Sequence, residues 1–181
     1  MIDSRSKLQA ALQAYETSYL AEQSFVSQFL SLLQSPNSFQ RTHLPGHITG
    51  SAWIIDTSRQ YVLLTHHAKL NKWLQPGGHA DGDENVLRVA LREAEEETGV
   101  KHFTLLDTDI FDIDVHPIPA RKDMVAHDHY DIRFLLQADR NTPLIITEES
   151  HDLGWVKLEE LGTYNDSHSL LRMAEKVKCL L

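Results

Sequence analysis

Over residues 4–34 the apolar positions Leu8, Leu12, Tyr15 and Tyr19, then Phe25, Val26, Phe29, Leu30 and Leu33, recur near three- and four-residue spacing. That period puts them on one helical face and predicts one bent helix or a helical pair, stopped by Ser35-Pro36-Asn37. The period then shortens. Ile48 to Asp56 and Tyr61 to Thr65 are rich in β-branched and aromatic residues and flank the turn-like Thr57-Ser58-Arg59-Gln60, which predicts a hairpin. Further strands are expected at Phe103 to Val115, at Tyr130 to Gln137 and at Trp155-Val156-Lys157. Leu170, Met173, Ala174 and Val177 predict a last helix, with Asp166 or Ser167 as its cap.

A helix from about 85 to 98 is the most informative element. On a helical wheel Val86, Leu87, Ala90, Leu91 and Ala94 form one apolar stripe, and Glu93, Glu96 and Glu97 fall on an arc beside it. Arg88, Arg92 and Glu95 point to the more solvated sides, and Gly99 is suited to end the helix in a left-handed conformation. Like charges three and four residues apart each destabilise an isolated helix by roughly 0.2 to 0.5 kcal/mol, so something should compensate. A solvated acidic face is the bland account; a site for hard divalent cations, which take converging carboxylate oxygens, is the sharp one.

Composition narrows the field. The 181 residues suffice for one sizeable core, and no internal repeat interrupts them. With 26 acidic and 17 basic residues the formal charge is −9, which argues against nucleic acid as main partner and means that a polyanionic substrate would need cations. The single cysteine, Cys179, cannot form an internal disulfide. No basic, then apolar leader and no run of about 18 apolar residues occurs, so a cytoplasmic protein without a membrane span is expected.

The acidic helix does not stand alone. Gly78, Glu84, Arg92-Glu93, Glu96-Glu97 and Gly99 sit at the spacing of the 23-residue Nudix box, ending at Val100, with Ala94 where a bulkier aliphatic is usual. Trp73-Leu74-Gln75-Pro76-Gly77-Gly78 and Trp155-Val156-Lys157-Leu158-Glu159-Glu160-Leu161 also resemble the approach to the box and the strand and turn before the family's final helix. From about Gly46 onward the chain resembles the Nudix hydrolases of MutT type. The resemblance implies an α+β fold, a mixed β-sheet sandwiched between helices, in a domain of residues 41–181. Residues 1–40 resemble a helical extension found in part of the superfamily.

It also implies roles. Glu93, Glu96 and Glu97 would bind Mg²⁺ or Mn²⁺, with the backbone carbonyl of Gly78 close by, and Arg92 would orient the carboxylates by a forked hydrogen bond. Gly77 would let the loop turn tightly. Glu84 either ties loop to helix, Asp81 and Glu84 having a capping-box-like spacing, or joins in metal binding. Water would attack a phosphorus of a diphosphate linkage. The proton would go to Glu93 or Glu97, with Glu148 or Glu149 in a later loop as the competing general base.

Histidines are many, 11 in all, and unevenly placed. On an extended segment His127, His129, Asp131 and Arg133 share one face, and His116 follows Asp112 and Asp114. Three accounts stay open for that face: a second metal site, a wall that binds substrate phosphate or sugar, or a partly solvated polar surface. His66 and His67 lie where a strand gives way to a loop, and at most one of them, His66 being the candidate, faces a cleft. No Nudix role attaches to the position of His79. Trp73 and Trp155 are expected in the core rather than against a base.

The leading functional expectation is hydrolysis of a nucleoside diphosphate derivative such as a nucleotide sugar, a dinucleotide or a nucleoside triphosphate. The rivals are a Nudix-fold nucleotide-binding or regulatory module without turnover, and RNA-cap processing, which the acidity disfavours. The apolar faces of the first helices would cover their own core or that of a second copy in a homodimer.

Overall fold

The computed structural model describes residues 2–121, 124–147 and 150–180. The first periodic stretch is a pair of helices, α1 (Arg5–Gln13) and α2 (Leu20–Leu32). The predicted hairpin is β1 (Gly46–Asp56) and β2 (Tyr61–His67), antiparallel with Ile54 opposite Leu63. There follow β3 (Lys72–Leu74), β4 (Gly77–His79), α3 (Val86–Thr98), β5 (Thr104–Leu105), β6 (Asp112–Ile118), β7 (His127–Ala138), β8 (Ser150–Lys157), α4 (Leu161–Tyr164) and α5 (His168–Cys179). The single strand expected over 103–115 is thus two, and the short one at 155–157 is the end of a longer strand.

The chain divides into two compact units, with β1, α3 and β7 contributing residues to each. In the first (1–51, 77–90, 107–134), β4 pairs with β1, and β6 pairs with β7 from Asp112 opposite Arg133 to Ile118 opposite His127. Leu8, Leu12, Phe29, Ile48, Val86, Ile113, Ile132 and Phe134 are buried there. α2 packs against β6, and its fully buried Glu22 accepts hydrogen bonds from Tyr15 Oη (2.7 Å), Thr17 Oγ1 (2.5 Å) and the Ile113 backbone N–H (3.3 Å). A buried carboxylate is tolerated when its lone pairs are used in this way.

In the second unit (52–76, 91–106, 135–181), β2 lies between β8 on one edge and β1 and β3 on the other, while β5 pairs with β7. Its core gathers Ala52, Ile54, Leu63, Ala94, Val100, Leu136 and Ala138, with Leu91, Phe103, Leu105, Leu144 and Trp155 packed against them. Asp56 closes the β1–β2 turn: Oδ1 accepts from the Gln60 and Tyr61 N–H groups at 3.0 Å and Oδ2 from Ser58 Oγ at 2.7 Å. Burial pushes its carboxyl up, but these hydrogen bonds outweigh that and hold it below the usual range. No helix among the described residues is long and apolar enough to cross a membrane.

Two glycines set close backbone approaches. A Cβ on Gly50 would stand 2.8 Å from the Val86 carbonyl oxygen and 3.2 Å from the Ala90 nitrogen, so β1 can support the first turn of α3 only where no side chain intervenes. At Gly77 the obstacle would be Ser51, its Cα at 2.9 Å, in the β4–β1 pair, so close pairing rather than turn conformation demands glycine there. Gly50→Ala is expected to lower stability by about 1–3 kcal/mol in urea denaturation, because the obstructing atoms are backbone and cannot rotate away.

Candidate active site

α3 forms because its start, middle and end agree. Asn85 Oδ1 accepts the Arg88 N–H at 3.0 Å, a side-chain N-cap, and Asp83 accepts both the Asn85 N–H (2.9 Å) and a forked pair from Arg88 (2.7 Å each). The buried side comprises Val86, Leu87, Val89, Ala90 and Ala94, then Glu97 and Thr98; it adds Val89 to the expected stripe, of which Leu91 is only partly buried. At the other end Gly99 takes φ +73° and its N–H reaches the Glu95 carbonyl at 2.9 Å, while the Thr98 carbonyl accepts from Ile145 N–H at 2.9 Å.

The last two turns carry the acids. Glu97 is 7% exposed, the Glu93 side chain 14% and the Glu96 side chain 59%, so they grade from the buried side of the helix to solvent. Arg92 Nη1 lies 2.8 Å from Glu93 Oε1 and 3.3 Å from Glu96 Oε2. One guanidinium nitrogen therefore joins the two carboxylates and offsets part of their repulsion. Glu95 turns away to Lys101 at 2.5 Å. Three carboxylates at i, i+3 and i+4, two of them largely shielded, offer oxygen donors of the kind that Mg²⁺ or Mn²⁺ takes.

The other residues of the motif and its surroundings take the following places. Glu84 does not cap α3; its carboxylate accepts the Arg5 backbone N–H (3.0 Å) and Arg5 Nε (3.1 Å), securing the start of α1. Asp81 has φ +51° and pairs with Arg41. Gly78 lies opposite Gly50 in the β4–β1 pair. Glu148 and Glu149 fall outside the described residues.

Arg133 was expected on a substrate wall, but its side chain is 2% exposed and its three nitrogens are directed at carboxylates: Nε to Asp131 Oδ2 (2.8 Å), Nη1 to Asp112 Oδ1 (3.0 Å) and Nη2 to Asp114 Oδ2 (3.3 Å). Asp131 Oδ1 also accepts from Thr49 Oγ1 and Ser51 Oγ. Burial pushes the guanidinium pKa down, and the three carboxylates more than reverse this, so it stays charged. Its chemistry is accounted for by the β6–β7 pair.

His66 lies directly across from Trp73 in the β2–β3 pair, rings stacked at 5.1 Å and 8°, with His151 edge-on at 5.5 Å. Trp73 is half-buried and also meets Tyr164, whereas Trp155 joins the core as expected.

His127 and His129 are joined by two histidines that the sequence did not single out, His47 on β1 and His79 on β4. Ring centroids are 4.9 Å apart for His47 and His127, 5.0 Å for His47 and His129, 5.0 Å for His79 and His129 and 5.2 Å for His127 and His129, with His116 at 5.6 Å from His129. Burial, reinforced by the neighbouring imidazoles, lowers the His129 pKa to about 2; burial and the nearby Arg41 lower that of His79 to about 4, and His47 is lowered by burial too. The signal that could have found His47 and His79 is strand register, with His79 opposite Thr49 two positions from His47, and periodicity does not supply register.

A family profile described as the NUDIX domain matches residues 46–175. The chain is 25% identical over 128 residues to a bis(5'-nucleosyl)-tetraphosphatase [asymmetrical] of Rattus norvegicus, covering 68% of this chain and 84% of that protein. It is 30% identical over 115 residues to a probable DHNTP pyrophosphohydrolase of Lactococcus lactis subsp. cremoris, covering 62% and 68%. The crystal structure of a C. elegans Ap4A hydrolase binary complex superposes with a TM-score of 0.60 at 17% identity, over 74% of this chain and 96% of that one. That likeness shows the fold: a mixed sheet with helices, here preceded by α1 and α2.

Proposed function

This chain belongs to the Nudix family and is a pyrophosphohydrolase, and from the carboxylates that α3 presents we propose that it cleaves a diphosphate linkage in a nucleoside diphosphate derivative with Mg²⁺ or Mn²⁺ as cofactor. The observation that carries the reading is the set Glu93, Glu96 and Glu97 on consecutive turns with Arg92 between two of them. When bound, a divalent cation neutralises charge on the diphosphate and lowers the pKa of the attacking water. Glu96 and Glu97, with Glu93, supply the oxygens that hold it. Arg92 positions Glu93 and Glu96. Glu93 or Glu97, being shielded, accepts the proton of the water that attacks phosphorus. His66, on its Trp73 support, contacts the substrate.

Relatives named for a bis(5'-nucleosyl) tetraphosphate and for DHNTP put dinucleotides and triphosphates at the head of the substrate panel, with nucleotide sugars beside them. The test is phosphate release from such a panel with products identified by mass spectrometry. Turnover that EDTA stops and Mg²⁺ or Mn²⁺ restores is expected. Tight binding of one compound with no turnover of any would instead favour a sensing module, and strong RNA affinity in moderate salt a cap-directed activity.

A further inference from the structure

The proposed hydrolysis uses carboxylates and leaves the buried His47 and His127 and the half-buried His129 without a task. We infer that His47, His127 and His129 form a second metal site, for a borderline transition ion such as Zn²⁺, built from imidazole nitrogen and separate in ligand chemistry from the hard-cation carboxylates of α3.

Geometry is the first support. One ligand atom from each of the three rings can be chosen so that all lie within 4.8 Å of one another. His127 Nε2 and His129 Nε2 are 3.3 Å apart, joined by a hydrogen bond that an ion would replace once His129 carries its proton on Nδ1. Two imidazole nitrogens on one tetrahedral ion, with bonds of about 2.0–2.1 Å, stand about 3.3–3.4 Å apart, so this pair already has the required edge. His47 must close by at most about 1.5 Å to complete the set, within the reach of a ring rotation.

Tautomers are the second. His127 Nδ1 lies 2.9 Å from the Val125 carbonyl oxygen, which can only accept, so Nδ1 carries the proton and Nε2 the lone pair. His47 Nδ1 faces the His43 carbonyl oxygen at 3.4 Å with the same consequence. Its Nε2 is then a bare acceptor, and it is fully buried with no hydrogen-bond partner among the described residues. Leaving a buried polar atom so is unfavourable unless something answers it. A metal-binding imidazole shows this same pattern, the far nitrogen fixed by a carbonyl and the near one directed at the ion. Three imidazole nitrogens and no carboxylate among the grouped atoms favour Zn²⁺, Co²⁺ or Ni²⁺ over Mg²⁺.

The test uses the full chain stripped of metal with EDTA and titrated with Co²⁺, then with Zn²⁺. We expect about one Co²⁺ per chain with the visible absorption of a nitrogen-ligated ion of low coordination number, displaced by Zn²⁺ and not by excess Mg²⁺. The band persists in the Glu93→Gln, Glu96→Gln, Glu97→Gln triple variant, and His129→Ala weakens Co²⁺ binding about 100-fold or more with circular dichroism unchanged. Should His129→Ala unfold, imidazole nitrogen NMR on the wild-type chain decides: Zn²⁺ must shift Nε2 of His47 and His127. No Co²⁺ band, a band lost in the triple variant but kept in His129→Ala, or imidazole resonances indifferent to Zn²⁺ would each overturn the inference. Because hydrolysis is not the readout, failure here leaves the proposed activity untouched.

Discussion

Replacing Glu97 by Gln is expected to lower kcat by about three orders of magnitude while leaving the fold intact. The change is isosteric, so the buried side of α3, on which Glu97 is 7% exposed, keeps its packing. What is lost is one negative charge and one acceptor oxygen, the properties on which cation binding and proton acceptance both depend. Calorimetric titration with Mn²⁺ should show the affinity falling with the rate, and thermal unfolding should move little. Glu95→Gln is the control, since Glu95 is turned to Lys101, and its activity should match that of the unaltered chain. Equal loss in both variants would mean that the helix, and not the carboxylate, had been damaged.

The largest effect on stability is expected at Arg133. Arg133→Met leaves Asp112, Asp114 and Asp131, at 0%, 8% and 2% exposure, without the cation that joins them. Removing one partner of a buried ion network costs about 3–5 kcal/mol, because the remaining charges stay desolvated. Urea denaturation should show this as a lower midpoint at unchanged slope. Adding Asp112→Asn to Arg133→Met should recover part of the loss, since one stranded charge is removed. A raised KM with an unchanged midpoint would return Arg133 to substrate binding.

These two residues mark how far the sequence could be read. α3 was legible because period, motif and cap point the same way: Gly99 terminates it with φ +73° and Ala94 faces the core despite its small size. The hairpin of β1 and β2 was legible from alternation and turn chemistry. What depended on pairing between distant strands was not. Arg133, His127 and His129 were placed on one strand face correctly, yet the Asp112 and Asp114 carboxylates that occupy Arg133, and the His47 and His79 rings that adjoin His129, come from other strands through register. Glu84 shows a related limit. Its partner, Arg5, is distant in sequence, and nearby capping-box spacing suggested a local task instead.

Glu84 lies inside the 46–175 match and Arg5 outside it, and Glu22, also outside, takes the Ile113 N–H from within. The boundary of the family match and the boundary of the packed unit therefore differ. Residues 1–51 cluster with 77–90 and 107–134, so a chain shortened to the matched span would present buried faces and unanswered donors to water. Selection on the first forty residues would then track the folding of the catalytic domain, and their substitution pattern would resemble that of a core rather than that of an appendage.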